Sequence, residues 1–332
     1  METVTMHAAL SKWSQLANGN ALLGFIDVTL RGCAQVMFQN NPLTGLLFFA
    51  AIFVGAFAEG NPAVAFGSVL GTVAATFTGM HLKDQTSWKA GLFGYNGCLV
   101  GVGLPTFLEV TPVVWLCIIL GGVVSVIVTI CIADILKTWK VAALTAPFVL
   151  VTWTMLLASY AFGGLNSHAL PLPNLPHDLV AHTPDLLNGI DVFHATFYGI
   201  SEVFLMSTVV GSLLFLAGLA VSSLWAALFG LVGSLLAVLV ATLLQGEQSA
   251  INNGLYAFSA VLTAIALGST FNKPRLRVLI YTLIGVIFTV FVQGALNTVL
   301  APVGIPTLTM PFVLASWLFL VPNKDVMPSH RQ

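Results

Sequence analysis

Charge is what this sequence has least of: Asp, Glu, Lys and Arg make up 7% of its 332 residues, 11 basic against 12 acidic. A soluble domain carries about 25%. With 58% hydrophobic residues, the apolar side chains must face something other than water, so the class is an integral membrane protein. A net charge of -1 leaves no basic footprint for nucleic acid. No polar tract is long enough for a disordered tail, and the apolar/polar alternation of an outer-membrane barrel is missing.

Cysteine and histidine are also sparse. Cys33, Cys98, Cys117 and Cys131 all lie in apolar stretches without metal-ligand spacing, so they are read as small hydrophobes. The seven histidines are scattered; His168, His177, His182 and His194 sit in or beside the one long polar segment, as solvated side chains. No signal peptide is evident, because the first 20 residues are polar and mixed and the apolar run from Ala21 is broken by Asp27 and Arg31. Walker and dinucleotide fingerprints, a Ser/His/Asp set and a run of carboxylates are all lacking. No enzyme, metal or cofactor is therefore expected.

What the chain does have is long apolar runs. A hydrocarbon core about 30 Å thick needs roughly 20 apolar residues per helix. Such runs lie near 43–58, 63–80, 91–108, 113–133 and 143–162, then near 203–221, 224–244, 254–271, 278–300 and 307–321, with a polar stretch from Gly163 to about Thr196 between the groups. Several are short and interrupted by Gly or Pro, which points to broken or tilted helices. With a cytoplasmic N-terminus and ten crossings, all 11 basic residues fall on the inner side, while the outer loops hold Glu59, Glu109, Asp178, Asp185, Asp191 and Glu247. A wrong span count would scatter Lys and Arg between the sides.

The two groups of spans are copies. Gln35–Ala50 aligns with Glu202–Ala217 at an offset of 167, Gly91–Leu99 with Gly254–Leu262 at 163, and Leu144–Trp153 with Leu308–Trp317 at 164. Five crossings per copy force the second into the membrane from the opposite side, so the repeat is inverted and a permeation site is expected at the midplane between halves. The expected organisation is a cytoplasmic segment 1–30, a first inverted repeat 31–162, an outer loop 163–196, a second repeat 197–322 and a cytoplasmic C-terminus 323–332.

Certain positions in the copies carry polar chemistry. Glu202 heads an apolar span, where a carboxylate costs about 2.5–3.5 kcal/mol on the most lenient scale, and its mate is neutral Gln35. The pair suggests two hydrogen-bonding stations; the alternative is a Glu snorkelling from the outer end of its helix, which does not explain the matching Gln. Pro147 and Pro311 interrupt spans that each begin with Leu-Thr. Carbonyls freed by proline, beside the hydroxyls of Thr145 and Thr309, would form a ladder of acceptors; otherwise these are kinked helices whose threonines bond their own backbone. Phe38 shares a helical face with Gln35, and Tyr95 and Phe258 are repeat mates, each followed four residues later by Leu99 and Leu262. Such walls make a slot for a flat molecule. With no basic residue inside the membrane, the expected permeant is neutral.

QVMFQNNPLTG from Gln35, GLFGYNGCLVG from Gly91 and the paired LTAPFV and LTMPFV blocks resemble the urea transporter family, in a bacterial member, from about Arg31 to Val321. The resemblance implies an all-α integral membrane fold of ten transmembrane helices plus half-spanning segments in two inverted five-helix repeats, a homotrimer with a pore in each protomer, and passive movement of urea across the inner membrane. It also implies that Gln35 and Glu202 flank the filter, that Phe38, Tyr95, Leu99, Val203, Phe258 and Leu262 wall it, and that Thr145 and Thr309 line the constriction. Tyr95 stands where the family often has Phe, and Leu205 replaces the aromatic at the Phe38 position. Urea has four N–H donors on a plane, so a line of oxygens can replace its hydration stepwise. Each station should hold it at only about -4 kcal/mol. The alternatives are a channel for ammonia or another small neutral solute, although ammonium conduction calls for a deep His pair, or a proton-coupled transporter using Glu202.

Overall fold

The computed structural model describes residues 12–176 and 189–326. His177, His182, Asp178 and Asp185 lie outside these residues. The described chain is helical, with its main helices in two series of six. The first series is α1 (Ala21–Ala34), α2 (Pro42–Ala58), α3 (Pro62–Met80), α4 (Gly94–Phe107), α5 (Pro112–Leu136) and α6 (Ala146–Ala158). The second is α7 (Gly189–Ser201), α8 (Val209–Ser222), α9 (Leu224–Leu243), α10 (Phe258–Ile265), α11 (Leu276–Leu300) and α12 (Met310–Leu320), with α10 continuing as a π-turn over Ala266–Thr270.

Each of the ten expected spans falls on one of these helices, but not each is long enough to cross alone. Among the described residues, four continuous segments are long and apolar enough: Pro62–Met80, Pro112–Trp139, Leu224–Leu243 and Leu276–Val303. Two bent pairs, Ala21–Met37 with Pro42–Ala58 and Asp191–Phe204 with Val209–Ser222, turn by 73° and 71°. α6, with 13 residues, reaches about 20 Å at 1.5 Å per residue, well short of a hydrocarbon core.

α1 and α7 were not expected. Asp27 and Arg31 interrupt the apolar run in the sequence, yet on the helix they are an i,i+4 pair, Arg31 Nε to Asp27 Oδ2 at 2.6 Å. Arg31 also donates to the Asn40 side chain at 2.7 Å, Trp13 donates to Asp27 at 2.7 Å, and the Asn20 side chain caps the helix by accepting from Leu22 and Leu23 N–H. Paired and capped, the charges do not stop the helix. The boundary at residue 30 therefore falls inside α1, and the one at 196 falls inside α7. His168 and His194 are both exposed, but His194 lies on α7 and not in a loop. Cys33 and Cys98 are buried together with their sulfurs 3.9 Å apart.

Hydrogen bonds sort the connections into two ends. Leu108 bridges to Ser167, Asn174 N–H donates to Ala301 O at 3.0 Å, Asn61 Nδ2 to Pro105 O at 2.8 Å, and Ser207 N–H to a Glu59 carboxylate oxygen at 2.6 Å. At the other end Gln35 reaches Ala90 O, Trp317 reaches Ala142 O and Asn323 reaches Asn272. Large apolar side chains such as Leu116, Leu120 and Ile127 on α5 and Ile280, Ile284 and Phe291 on α11 face outward, as lipid contact requires.

Glycine sets how closely the first turns approach. Gly91 and Gly254 both have φ 78°, and a Cβ at either would stand 2.6 Å from a main-chain carbonyl carbon, that of Arg31 or Tyr198. Gly91→Ala and Gly254→Ala should each cost about 3 kcal/mol or more, combining left-handed strain with overpacking. Gly60, at φ 73° with nothing within 4 Å of a Cβ, should cost about 1 kcal/mol as Ala. Thermal midpoints in detergent read the difference; equal shifts for all three would overturn the assignment.

Candidate functional site at the meeting of broken helices

α1 tightens into a 3₁₀ turn at Gln35–Met37 and stops at Phe38, φ 64°; α7 tightens at Glu202–Phe204 and stops at Leu205, φ 56°. Non-glycine residues held left-handed cost of order 1 kcal/mol or more and gather where surrounding structure enforces them. The two turns hold the expected polar stations but bond them differently. Gln35 Nε2 donates to Ala90 O at 2.8 Å. Glu202, 8% exposed, accepts from Ser207 Oγ at 3.2 Å, while the Ser207 N–H goes to Glu59. One serine thus ties two carboxylates, and Glu59 joins a site in which the sequence had placed only Glu202.

Two further left-handed residues, Leu144 at φ 53° and Leu308 at φ 50°, precede α6 and α12. Pro147 and Pro311 fall in the first turn of these helices instead of interrupting them. This corrects the expectation of proline-kinked spans, because a first-turn residue has no intrahelical N–H bond to lose. The break comes from the left-handed leucine one turn earlier. There the Thr145 and Thr309 hydroxyls meet at 2.6 Å, each residue 2% exposed. Trp153 Nε1 donates to Pro306 O at 2.8 Å and Trp317 Nε1 to Ala142 O at 3.0 Å. Both partners in this pair of bonds are offset by 164 residues, so each half clamps the other at equivalent places.

The apolar candidates surround these polar groups. Leu99, Val203, Phe258 and Leu262 are buried in one cluster with Leu144 and Leu308, and Phe38 and Tyr95 pack against it. Phe38 meets Phe271 and Phe312 edge-on, each with centroids 5.9 Å away. On the matching side, Leu205 and Phe148 share the surface of Gly103. Phe148 and Phe312 were missed as wall candidates, although both lie in the duplicated Pro-Phe-Val blocks. Asn96 was missed as well; its side-chain oxygen accepts the Phe148 N–H at 3.1 Å.

Membrane-length apolar helices, two sharply bent pairs and polar groups buried where broken helices meet define an all-α, multi-pass membrane protein. Within that class, the chain belongs to the urea transporter family, whose model matches residues 26–324. Urea transporter 1 of Ovis aries is 29% identical over 317 residues, covering 92% of this chain and 80% of that protein. Urea transporter 1 of Rattus norvegicus is 27% identical over 320 residues, with the same shares covered.

The central hydroxyl pair is open to a double-mutant cycle. Thr145→Val and Thr309→Val should each destabilise by about 1–3 kcal/mol, by leaving a buried hydroxyl unpaired. The double variant should fall short of the sum by about 0.5 kcal/mol or more. Additive losses, measured by thermal unfolding in detergent, would show that the two hydroxyls do not bond.

Proposed function

We propose that the protein conducts urea passively, as a channel-like facilitator in the inner (cytoplasmic) membrane, through a narrow path within each protomer of a homotrimer. The observation that carries this reading is the meeting of Thr145 and Thr309 at 2.6 Å in a chain of the urea transporter family. Repeat mates can touch in this way when the halves are related by a two-fold axis passing between them. The same relation is supported by the paired left-handed residues Phe38 and Leu205, Leu144 and Leu308, and Gly91 and Gly254, and by the reciprocal tryptophan bonds. On this reading the repeats are inverted, begin near Ala21 and Gly189, and cross ten times, with α1 and α7 as the half-spanning segments and the short α6 and α12 completing their crossings through the non-helical turns before them.

Gln35 and Glu202 are the stations at the two mouths. Thr145 and Thr309 are the central hydroxyls, and Phe38, Tyr95, Leu99, Val203, Phe258 and Leu262 are the walls. A planar solute passes its N–H groups from one oxygen to the next while rings and leucines cover its faces. Orientation follows from charge: Arg31, Lys83, Lys89, Lys137, Lys140, Lys273, Arg275 and Arg277 flank the Gln35 end, which faces the cytoplasm together with both termini. No chemical step is assigned; the protein acts as a transporter and not as an enzyme.

A second reading, proton coupling through Glu202, draws on the Glu59–Ser207–Glu202 bridge. Stopped-flow light scattering on proteoliposomes separates the two. Saturable urea flux that ignores an imposed pH gradient and persists in Glu202→Gln is expected. Flux that follows the gradient and uncouples in Glu202→Gln would favour the transporter, and no urea flux above empty liposomes would sink both.

A further inference from the structure

The two halves differ at the carbonyl just before each central threonine. Phe148 stands in the first turn of α6, where an N–H has no intrahelical partner, and it donates to Asn96 Oδ1 at 3.1 Å. Leu144 precedes the helix, so its carbonyl takes no part in the helical bonding. It is then claimed from α4: the Tyr95 hydroxyl donates to it at 2.7 Å and Asn96 Nδ2 faces it at 3.5 Å. A carbonyl oxygen has two lone pairs, and two donors address them.

At the matching place Phe258 stands for Tyr95 and Ser259 for Asn96. Phe258 has no hydroxyl to donate, and the buried Ser259 hydroxyl has no hydrogen-bond partner. Among the described residues, the side-chain donor to the Leu308 carbonyl is Thr307 Oγ1, the adjacent residue, at a long 3.4 Å. Two carbonyls in equivalent left-handed turns are therefore differently committed, the one beside Thr145 held by a short bond from Tyr95 and the one beside Thr309 met only by the long contact from Thr307.

Resting on the urea-conducting reading above, we propose that Tyr95 is a positioning residue that sets the affinity and selectivity of the path. By occupying the Leu144 carbonyl, its hydroxyl removes one acceptor from the half nearer Gln35. An N–H-rich solute then finds a rung at Leu308 with no equal at Leu144. The solute is held less tightly on the Gln35 side, which speeds its release there.

The test is a pair of reciprocal exchanges, Tyr95→Phe and Phe258→Tyr, assayed in proteoliposomes and normalised to folded protein by size exclusion. A net hydrogen bond of about 0.5–1.5 kcal/mol corresponds to about a two- to tenfold change in affinity. Tyr95→Phe frees the Leu144 carbonyl, so the half-saturation for urea should fall by that factor and maximal flux should drop with it. Formamide, with half the N–H groups, should shift less, and Phe258→Tyr should raise the half-saturation for urea. An unchanged half-saturation in Tyr95→Phe, with flux tracking only the amount of folded protein, would reduce the hydroxyl to a structural bond and overturn the proposal. Absence of urea flux in the unmutated protein would instead remove the conduction reading on which it rests.

Discussion

The hydrogen bond between Thr145 and Thr309 is the contact around which the rest is arranged. Its two oxygens, 2.6 Å apart, come from positions 164 residues apart in the chain, so it forms only when both halves have stopped their helices at the same depth. That requirement accounts for features that look costly in isolation. Leucines at 144 and 308 sit in left-handed conformations that glycine would adopt freely. α6 and α12 are too short to span, and Trp153 and Trp317 reach across to main-chain carbonyls of the opposite half. Each device either ends a helix at the centre or pins that end to its counterpart.

Broken helices expose main-chain polar groups, which lipid cannot satisfy. The chain answers by surrounding the breaks with protein. The turns after α1 and α7 pack against α4 and α10, and the carbonyl before Thr145 is met by donors from α4. Much of the outer apolar surface falls on the long helices α3, α5, α9 and α11, whose backbones bond internally, with further exposed apolar side chains on α2 and α8. Polar chemistry is thereby confined to the interior, and the lipid-facing shell needs none of it.

Much of this was legible in the sequence, for a physical reason. The ten apolar runs and the three duplicated blocks are long patterns, and each run coincides with a helix. The blocks mark the turns after α1 and α7, the starts of α4 and α10, and the breaks before α6 and α12. What could not be read was local pairing. Asp27 and Arg31 look like interruptions until a helix places them one turn apart, where they neutralise each other and allow α1 to form. Pro147 and Pro311 look like kinks because proline marks a helix start as readily as a helix break, and the deciding feature, a leucine at positive φ, has no sequence signature. Glu59 belonged to a different loop until Ser207 bridged it to Glu202. Asn96 lies in the duplicated block from Gly91, but its role depends on Phe148, 52 residues further along the chain, which the block does not reveal.

The distribution of polar groups also bears on what can pass. The ionisable groups of the site stand at its ends: Asp27 with Arg31 near Gln35, Glu59 with Glu202 at the opposite end. Between them the polar groups of the site are hydroxyls, carbonyls and the Asn96 amide, none of which carries a formal charge. Moving an ion into that region would forfeit its hydration against partners that cannot neutralise it. A neutral solute loses only hydrogen bonds, and neutral oxygens can return those one at a time. Weak, uncharged contacts also keep any one position from trapping the solute. The scarcity of charge that places the chain in a membrane therefore continues along the proposed path, where it favours a neutral, N–H-rich permeant.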